Sequence, residues 1–325
     1  MLGKHHHKVI VLVLLGTWAL IQYHKQVQSS EDIKWWPSPW GPDDQRGAMN
    51  RITAAKVLQA KQLIREGKMY SLGRLYERDM PIGGNRFFSM TIPGLPTTGP
   101  LGTNKLVGND ELFNGQLGHV GTQLDGLGHV GKRVGNEDIF YNGMKLSEIG
   151  SSQGLKKLGI ENVGPVFTRG VLLDVARVKG VRRLPPGYAI TPVDLQDALV
   201  AAEVVIDEGD VVVIHTGHGQ LWMQDNEQYG QGAPGIGMAA ACWLIDKKIS
   251  MIGSDNFGIE VFPPEDPEQR GPVHQWTVMR HGIYHLENLD LSQLAADKVY
   301  EFAFIYIPLP LKGATGSPGS PIAVK

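Results

Sequence analysis

The stretch His119-Val120-Gly121-Thr122-Gln123-Leu124-Asp125-Gly126-Leu127-Gly128-His129 places two imidazoles, a carboxylate and an amide oxygen within eleven residues threaded with glycine. Neutral imidazole and carboxylate are the usual protein ligands for zinc or manganese. On a regular strand His119 and Asp125 would lie about 20 Å apart, at roughly 3.3 Å per residue, too far to share an ion. On a helix His119 and Gln123 would be neighbours at i, i+4, but the glycines that follow argue against a long helix. A strand running into a tight glycine-rich turn gathers the polar side chains around one point. A lone histidine is more often a satisfied core or surface residue than a ligand. Two histidines and an aspartate in one short glycine turn shift that balance, and the stretch reads as a metal site on a loop.

Outward from this stretch, strands and helices alternate without a repeat. Thr53 caps a helical pattern over Ala54–Glu66, with Val57, Leu58, Leu63 and Ile64 on one side and Gly67 as its stop. Thr191-Pro192 opens another helix, threonine at the cap and proline at the first position, followed by Leu195, Leu199 and Val200. Val211–His215 is a short apolar run between Asp210 and Gly217 and reads as a buried central strand. Further strands are predicted at Tyr70–Tyr76, Val171–Val175, Ser250–Gly253 and Tyr300–Ile307, and helices at Ile236–Asp246 and Leu291–Ala296. Residues 31–50 read as an ordered but irregular arm. The alternation gives a mixed α/β fold in a single domain, with no linker that would cut it.

Composition narrows the function. The chain has 325 residues, 31 Lys and Arg against 33 Asp and Glu, and a net charge of −2, so it lacks the basic footprint that nucleic acid requires. The single cysteine, Cys242, excludes an intramolecular disulfide and a thiolate-cluster metal site. It lies in an apolar helical pattern and reads as packing. With 41 Gly and 20 Pro, many turns and long surface loops are expected. At the N-terminus Lys4 and Lys8 flank a histidine run, and Val9–Ile21 is uncharged. That length fits a signal-peptide core better than a bilayer span of about 20 residues, with cleavage after Ser29, so residues 1–30 predict export to the periplasm or beyond. The alternative is an uncleaved membrane anchor.

Two motif matches carry no function. Gly150-Ser151-Ser152-Gln153-Gly154 has the spacing of a nucleophile elbow, but the polar, helix-like Lys145–Ile149 precedes it where a buried strand is required. Gly230-Gln231-Gly232-Ala233-Pro234-Gly235 has dinucleotide spacing but no strand leads into it, and it reads as a loop ahead of a helix.

The first stretch resembles the H-x-G-T-x-x-D-x-x-x-H signature of the metal-dependent cyclase family, which includes bacterial-type kynurenine formamidases, isatin hydrolases and trans-dienelactone hydrolases. The likeness runs in order from Trp40-Gly41-Pro42-Asp43 through Gly209–Gly217, Pro234–Gly237, Ile252–Asp255, His274 and Glu287–Leu291 to Ile307–Leu311 and Gly316–Pro318. It implies a central mixed sheet flanked by helices over residues 31–325, and a dimer or tetramer. It also implies hydrolysis of an amide C–N bond or a lactone in a small cyclic or formylated substrate, of the kind met in tryptophan breakdown.

Many members carry histidine where Gln123 stands, and proline where Leu127 or Gly128 stands. The amide oxygen is a weaker donor than imidazole, which tilts the expectation toward one manganese or zinc held by His119, Gln123 and Asp125. By resemblance His129, His274 and Glu287 line the same cavity, as ligands of a second ion or as acid–base groups. His129 is the expected general base, then acid, Glu287 a second catalytic candidate and His274 a metal candidate. Trp40, His218 and Phe257 are candidates for the substrate pocket, and Trp222 and Phe262 for an apolar wall beside Phe257. The alternative is an exported binding protein that keeps the scaffold without the chemistry.

Overall fold

Val211, Val212, Val213 and Ile214 are all buried, and a run apolar on both faces belongs in the middle of a sheet covered on both sides. In the computed structural model, which describes residues 34–325, they form the core of a nine-stranded mixed sheet. Its strands, numbered here in chain order, are β1 Met69–Ser71, β2 Gln123–Asp125, β3 Val166–Asp174, β4 Val211–His215, β5 Met251–Ser254, β6 Tyr284–Glu287, β7 Glu301–Tyr306, β8 Gly316–Pro318 and β9 Ile322–Val324. The spatial order is β1-β9-β7-β3-β4-β5-β6-β2-β8. The four central strands β3 to β6 run parallel, and antiparallel strands extend the sheet on either side. Residues Pro37–Lys325 make one unit, and Lys34–Trp36 fall in another. The N-terminal segment read as a leader or anchor lies outside the described residues, among which no helix is long and apolar enough to cross a membrane.

Helices α1 Ala54–Lys61 and α2 Pro192–Ala202 pack on this sheet, and α3 Met238–Asp246 packs against α2. Thr53 accepts a hydrogen bond from the Lys56 N–H, and Thr191 and Asp194 form a reciprocal capping box with Pro192 in the first turn, as the sequence predicts. Helix α1 ends at Lys61 rather than Glu66, because Leu63 and Ile64 turn back on the carbonyls of Ala60 and Lys61 in tight i→i+3 bonds. Its buried face also differs from the apolar stripe. Lys56 and Ala60 are buried while Leu58 stays exposed, since Lys56 reaches Asp210 at 2.5 Å. Strand β3 is longer than its apolar run suggested, whereas β1 is only three residues. Helix α3 starts at Met238, because Gly235–Ile236 pairs with Ala189–Ile190 as a short parallel bridge.

The carboxyl ends of β3 and β4 bring Asp174 and His215 together, Nδ1 to Oδ1 at 2.7 Å. Burial opposes the imidazolium, but the hydrogen bond to Asp174 and the charges of Asp255 and Asp174 outweigh it and raise His215 above its ordinary value. A raised folded value stabilises the fold fully below the unfolded value of about 6.5, and that contribution fades as pH climbs through the folded value. Melting of the wild type and His215→Gln across this range is expected to show the gap between them narrowing as pH rises. A gap that is constant or widens would contradict the pairing.

Candidate metal and active site

The site is built where β2 meets β6. Their antiparallel register sets Gln123 opposite Glu287 and Asp125 opposite His285. Since side chains alternate across a strand, these four polar groups share one face, while Leu124 and Leu286 point into the core on the other and are fully buried. The 3₁₀ turn Leu117–His119 ahead of β2 and the glycine turn behind it bring His119 and His129 over the same face, their rings stacked at 4.2 Å between centroids. Gly316, on the neighbouring β8, makes room for this: a Cβ there would meet the His119 ring at 2.6 Å. Gly121, with φ of +61°, lies under the ring of Tyr76 and allows the chain to turn from the 3₁₀ segment into β2. The strand Gln123–Asp125 running into the glycine turn before His129 matches the expectation, and the 3₁₀ turn ahead of the strand adds a second turn.

Asp125 is the hub. Its Oδ1 lies 3.2 Å from His119 Nδ1, and its Oδ2 lies 3.5 Å from His129 Nε2 and 3.6 Å from His274 Nε2. His274 enters from a short helix, Pro272–His274, that runs into a π-helical turn, Gln275–Arg280, a distortion frequent at functional sites. Its Nε2 also lies 3.3 Å from Glu287 Oε1, while its Nδ1 is hydrogen-bonded to Glu260. The hydroxyl of Thr277 donates to the Val273 carbonyl at 2.7 Å and so accepts from His285 Nε2, also at 2.7 Å. His285 therefore carries its proton on Nε2 and leaves a bare Nδ1. That nitrogen and Gln123 Oε1 are buried with no hydrogen-bond partner, Gln123 having spent its Nε2 on Glu287 at 2.9 Å.

Electrostatics within the cluster are uneven. Burial disfavours the Asp125 carboxylate, but His129, His119 and His274 outweigh it and hold Asp125 well below the usual range. Burial drives His129 down to about 4 against the pull of Asp125, so His129 is neutral at pH 7. The cationic partner is His274, which burial would neutralise but which Asp125, Glu260 and Glu287 hold well above its ordinary value. Burial and the Asp125 charge push Glu287 up to about 7. Three carboxylates, Asp125, Glu260 and Glu287, crowd the one imidazolium of His274 in a buried cluster.

The donor set suits a divalent cation. His119, Asp125 and His129 offer ligand atoms within 4.8 Å of one another, as do His274, His285 and Glu287, and the two orphaned acceptors lack the positive partner an ion would be. Glu260 on His274, Thr277 on His285 and Thr315 Oγ1 on His119 Nε2 at 2.9 Å are the outer hydrogen bonds that fix the orientation of ligating imidazoles. His119 and Gln123 open onto a cavity of about 360 Å³, walled by Tyr229, Phe257 and Asn288 and reached by Arg86.

Of the predicted site residues, His119, Gln123, Asp125, His129, His274 and Glu287 come together here, and Phe257 lines the cavity. Trp40 does not: it lines a separate cavity with Lys56 and Asp207, its ring under the Arg51 guanidinium at 5.2 Å. Neither is His218 in the cavity wall. Its ring stacks on Tyr229 at 4.7 Å, its Nε2 is bonded to the Tyr229 carbonyl at 3.1 Å, and it supports the wall from behind. Trp222 packs in the apolar cluster with Met80, Val120 and Tyr229, and Phe262 borders another small cavity with Phe257. His285 and Glu260 were missed. His285 stands two residues before Glu287, so the strand period alone puts it on the same face; nothing in the sequence marks Glu260.

Sheet order, motif and cluster together define a known class. The profile of the cyclase family (Putative cyclase) matches residues 30–261, and the chain belongs to that family. A solved structure described as a novel cyclase is 33% identical, with 88% of this chain and 98% of that one covered and a TM-score of 0.77. Isatin hydrolase A from Ralstonia solanacearum is 19% identical over 84% of this chain and 98% of its own, with a TM-score of 0.55. Isatin hydrolase A from Labrenzia aggregata, bound to benzyl benzoate, is 18% identical over 79% and 93%, with a TM-score of 0.53. At those identities the hydrolases share the fold. Comparison with curated proteins gives no match.

Proposed function

We propose that the chain is a metal-dependent hydrolase of a small cyclic or formylated amide or of a lactone. The observation that carries this reading is the pair of orphaned acceptors, Gln123 Oε1 and His285 Nδ1, inside a buried His/Asp/Glu cluster that opens onto a cavity through His119 and Gln123. The isatin hydrolases that share the fold support the choice of hydrolysis. His119, Gln123, Asp125, His274, His285 and Glu287 would hold manganese or zinc. When bound, such an ion supplies a Lewis acid that activates water and polarises a carbonyl.

The chain's own groups do the rest. His129 is neutral and its Nε2 stands at the cluster, so it can take the proton of an attacking water and return it to the departing nitrogen or oxygen. Asp125, ionised beside it, stabilises the imidazolium that forms. Tyr229 and Phe257 give the cavity an aromatic wall against which a flat substrate can pack. Glu260 and Thr277 hold the two inner imidazoles in place.

His129→Ala is therefore expected to keep its metal and lose hydrolysis by about 10²–10⁴-fold, the usual weight of one general acid–base group. A screen of formyl amides, cyclic amides and lactones with paired metal analysis checks this. Wild-type turnover in the variant would remove His129 from the chemistry.

A further inference from the structure

Two cavities, of about 360 and 180 Å³, meet at Phe257, the one residue among those described that borders both. The larger opens onto the cluster through His119 and Gln123, and the smaller reaches His274 and Glu260. We infer that Phe257 sets substrate specificity: its ring closes off the smaller cavity, an apolar recess the size of an aromatic ring, and limits the chain to substrates that the larger cavity holds. The inference rests on the larger cavity being the substrate site.

The chemistry of the recess decides what would enter it. Phe257, Val261, Phe262 and Pro264 supply apolar surface. The polar groups that reach it are turned to other partners. Glu260 is bonded to His274 Nδ1 through Oε1 and receives the Val273 N–H on Oε2 at 3.2 Å. Arg270 Nη1 donates to two carbonyls of its own loop, those of Pro267 at 2.6 Å and Gln269 at 2.8 Å. The recess therefore offers chiefly apolar contact. A cavity of roughly 150 Å³ lined by apolar side chains takes up benzene, so one of about 180 Å³ has room for a phenyl ring.

The partition is braced by the walls of both cavities. The Phe257 ring lies edge-on to Tyr229 of the larger cavity, at 5.8 Å between centroids, and to Phe262 of the smaller, at 6.0 Å. His218 meets it edge-on as well, at 6.1 Å. Tyr229 is itself anchored, its hydroxyl donating to Asn288 Oδ1 at 2.7 Å. The backbone beneath Phe257 is pinned by buried Asn256, whose side chain receives the Ile259 N–H at 2.7 Å and donates to the Pro234 carbonyl at 2.6 Å. A ring fixed in this way acts as a wall, and a fixed apolar wall separates substrates that differ by one apolar group.

The probes are formanilide with its 4-phenyl derivative and γ-butyrolactone with γ-phenyl-γ-butyrolactone, each pair differing by one ring. Full-length protein is titrated with them in a calorimeter, and turnover is read as kcat/KM. The wild type is expected to favour the smaller member of each pair. Phe257→Ala, which joins the two cavities, should raise the larger-to-smaller ratio by about tenfold or more, the weight of one apolar group in a pocket. Adding Gly258→Leu should bring the ratio back down, because Gly258 lines the recess and a Cβ there meets nothing within 4 Å. A merely structural role for Phe257 would depress both members alike and leave the ratio in place. Phe257→Leu, which keeps part of the wall, should show a smaller shift in the same direction and serves if the alanine variant does not fold. A ratio unchanged in both Phe257 variants, or one that Gly258→Leu fails to reverse, would overturn the inference. Absence of saturable binding by the smaller members would overturn it together with the cavity reading beneath it. Binding without hydrolysis would overturn the proposed reaction alone, since the binding ratio still reads the size limit.

Discussion

Asp125→Ala is expected to lose metal and hydrolysis together. Asp125 is 1% exposed, and its two oxygens face three imidazoles between 3.2 and 3.6 Å, so one carboxylate is the common neighbour of His119, His129 and His274. Removing an outer-shell partner of a metal ligand typically costs about 10–100-fold in affinity, and removing the central ligand costs more. Titration of the variant with manganese or zinc in a calorimeter should thus show affinity reduced by well over about 100-fold. Asp125→Asn should fall nearly as far, because it keeps the shape and discards the charge. Both variants should still fold, since His274 retains Glu260 and Glu287 as acidic partners. Metal binding at wild-type strength in either would remove Asp125 from the ligand set.

The largest stability effect is expected well away from the site, at Asp210. This carboxylate is completely buried and receives Lys56 Nζ at 2.5 Å on one oxygen and Arg169 Nη2 at 2.7 Å on the other. Arg169 has further partners in Glu301 at 2.7 Å and Asp207 at 3.3 Å, but Asp210 is the carboxylate paired with buried Lys56. Taking one member from a buried ion network leaves its partners charged and dry, which typically costs about 3–5 kcal/mol. Asp210→Ala should lose that much in denaturant melting. Lys56→Met should lose much less, because Arg169 continues to neutralise Asp210 while the methionine fills the space. A loss below about 1 kcal/mol for Asp210→Ala would mean that water reaches the network.

These two residues also mark what was legible in the sequence. Asp125 sits in a motif whose composition announces chemistry, and the period of a strand puts Gln123 and Asp125 on one face. The central strand was legible at Val211–His215, as no other element suits an unbroken apolar run between Asp210 and Gly217. Asp210 itself was visible only as a boundary, and its partners lie 154 and 41 positions earlier in the chain. For the same reason α1 was misjudged: an apolar stripe was expected to face the core, but a buried counter-charge turned Lys56 inward and left Leu58 in solvent. Glu260 reaches His274 from a loop, and loops carry no period to read. Trp40 was placed near the cavity by its motif, yet the arm that bears it folds against Arg51.

The central claim is that Asp125, with His119, Gln123, His274, His285 and Glu287, holds a divalent ion. Crystals of the tag-free chain equilibrated with manganese or zinc, with diffraction collected on both sides of the metal absorption edge, test it directly. The account predicts an anomalous peak within about 2.0–2.2 Å of an Asp125 oxygen and of nitrogens from the neighbouring histidines. A cluster that scatters no anomalous signal at saturating metal, with the acidic and histidine side chains in their present hydrogen bonds, would contradict it.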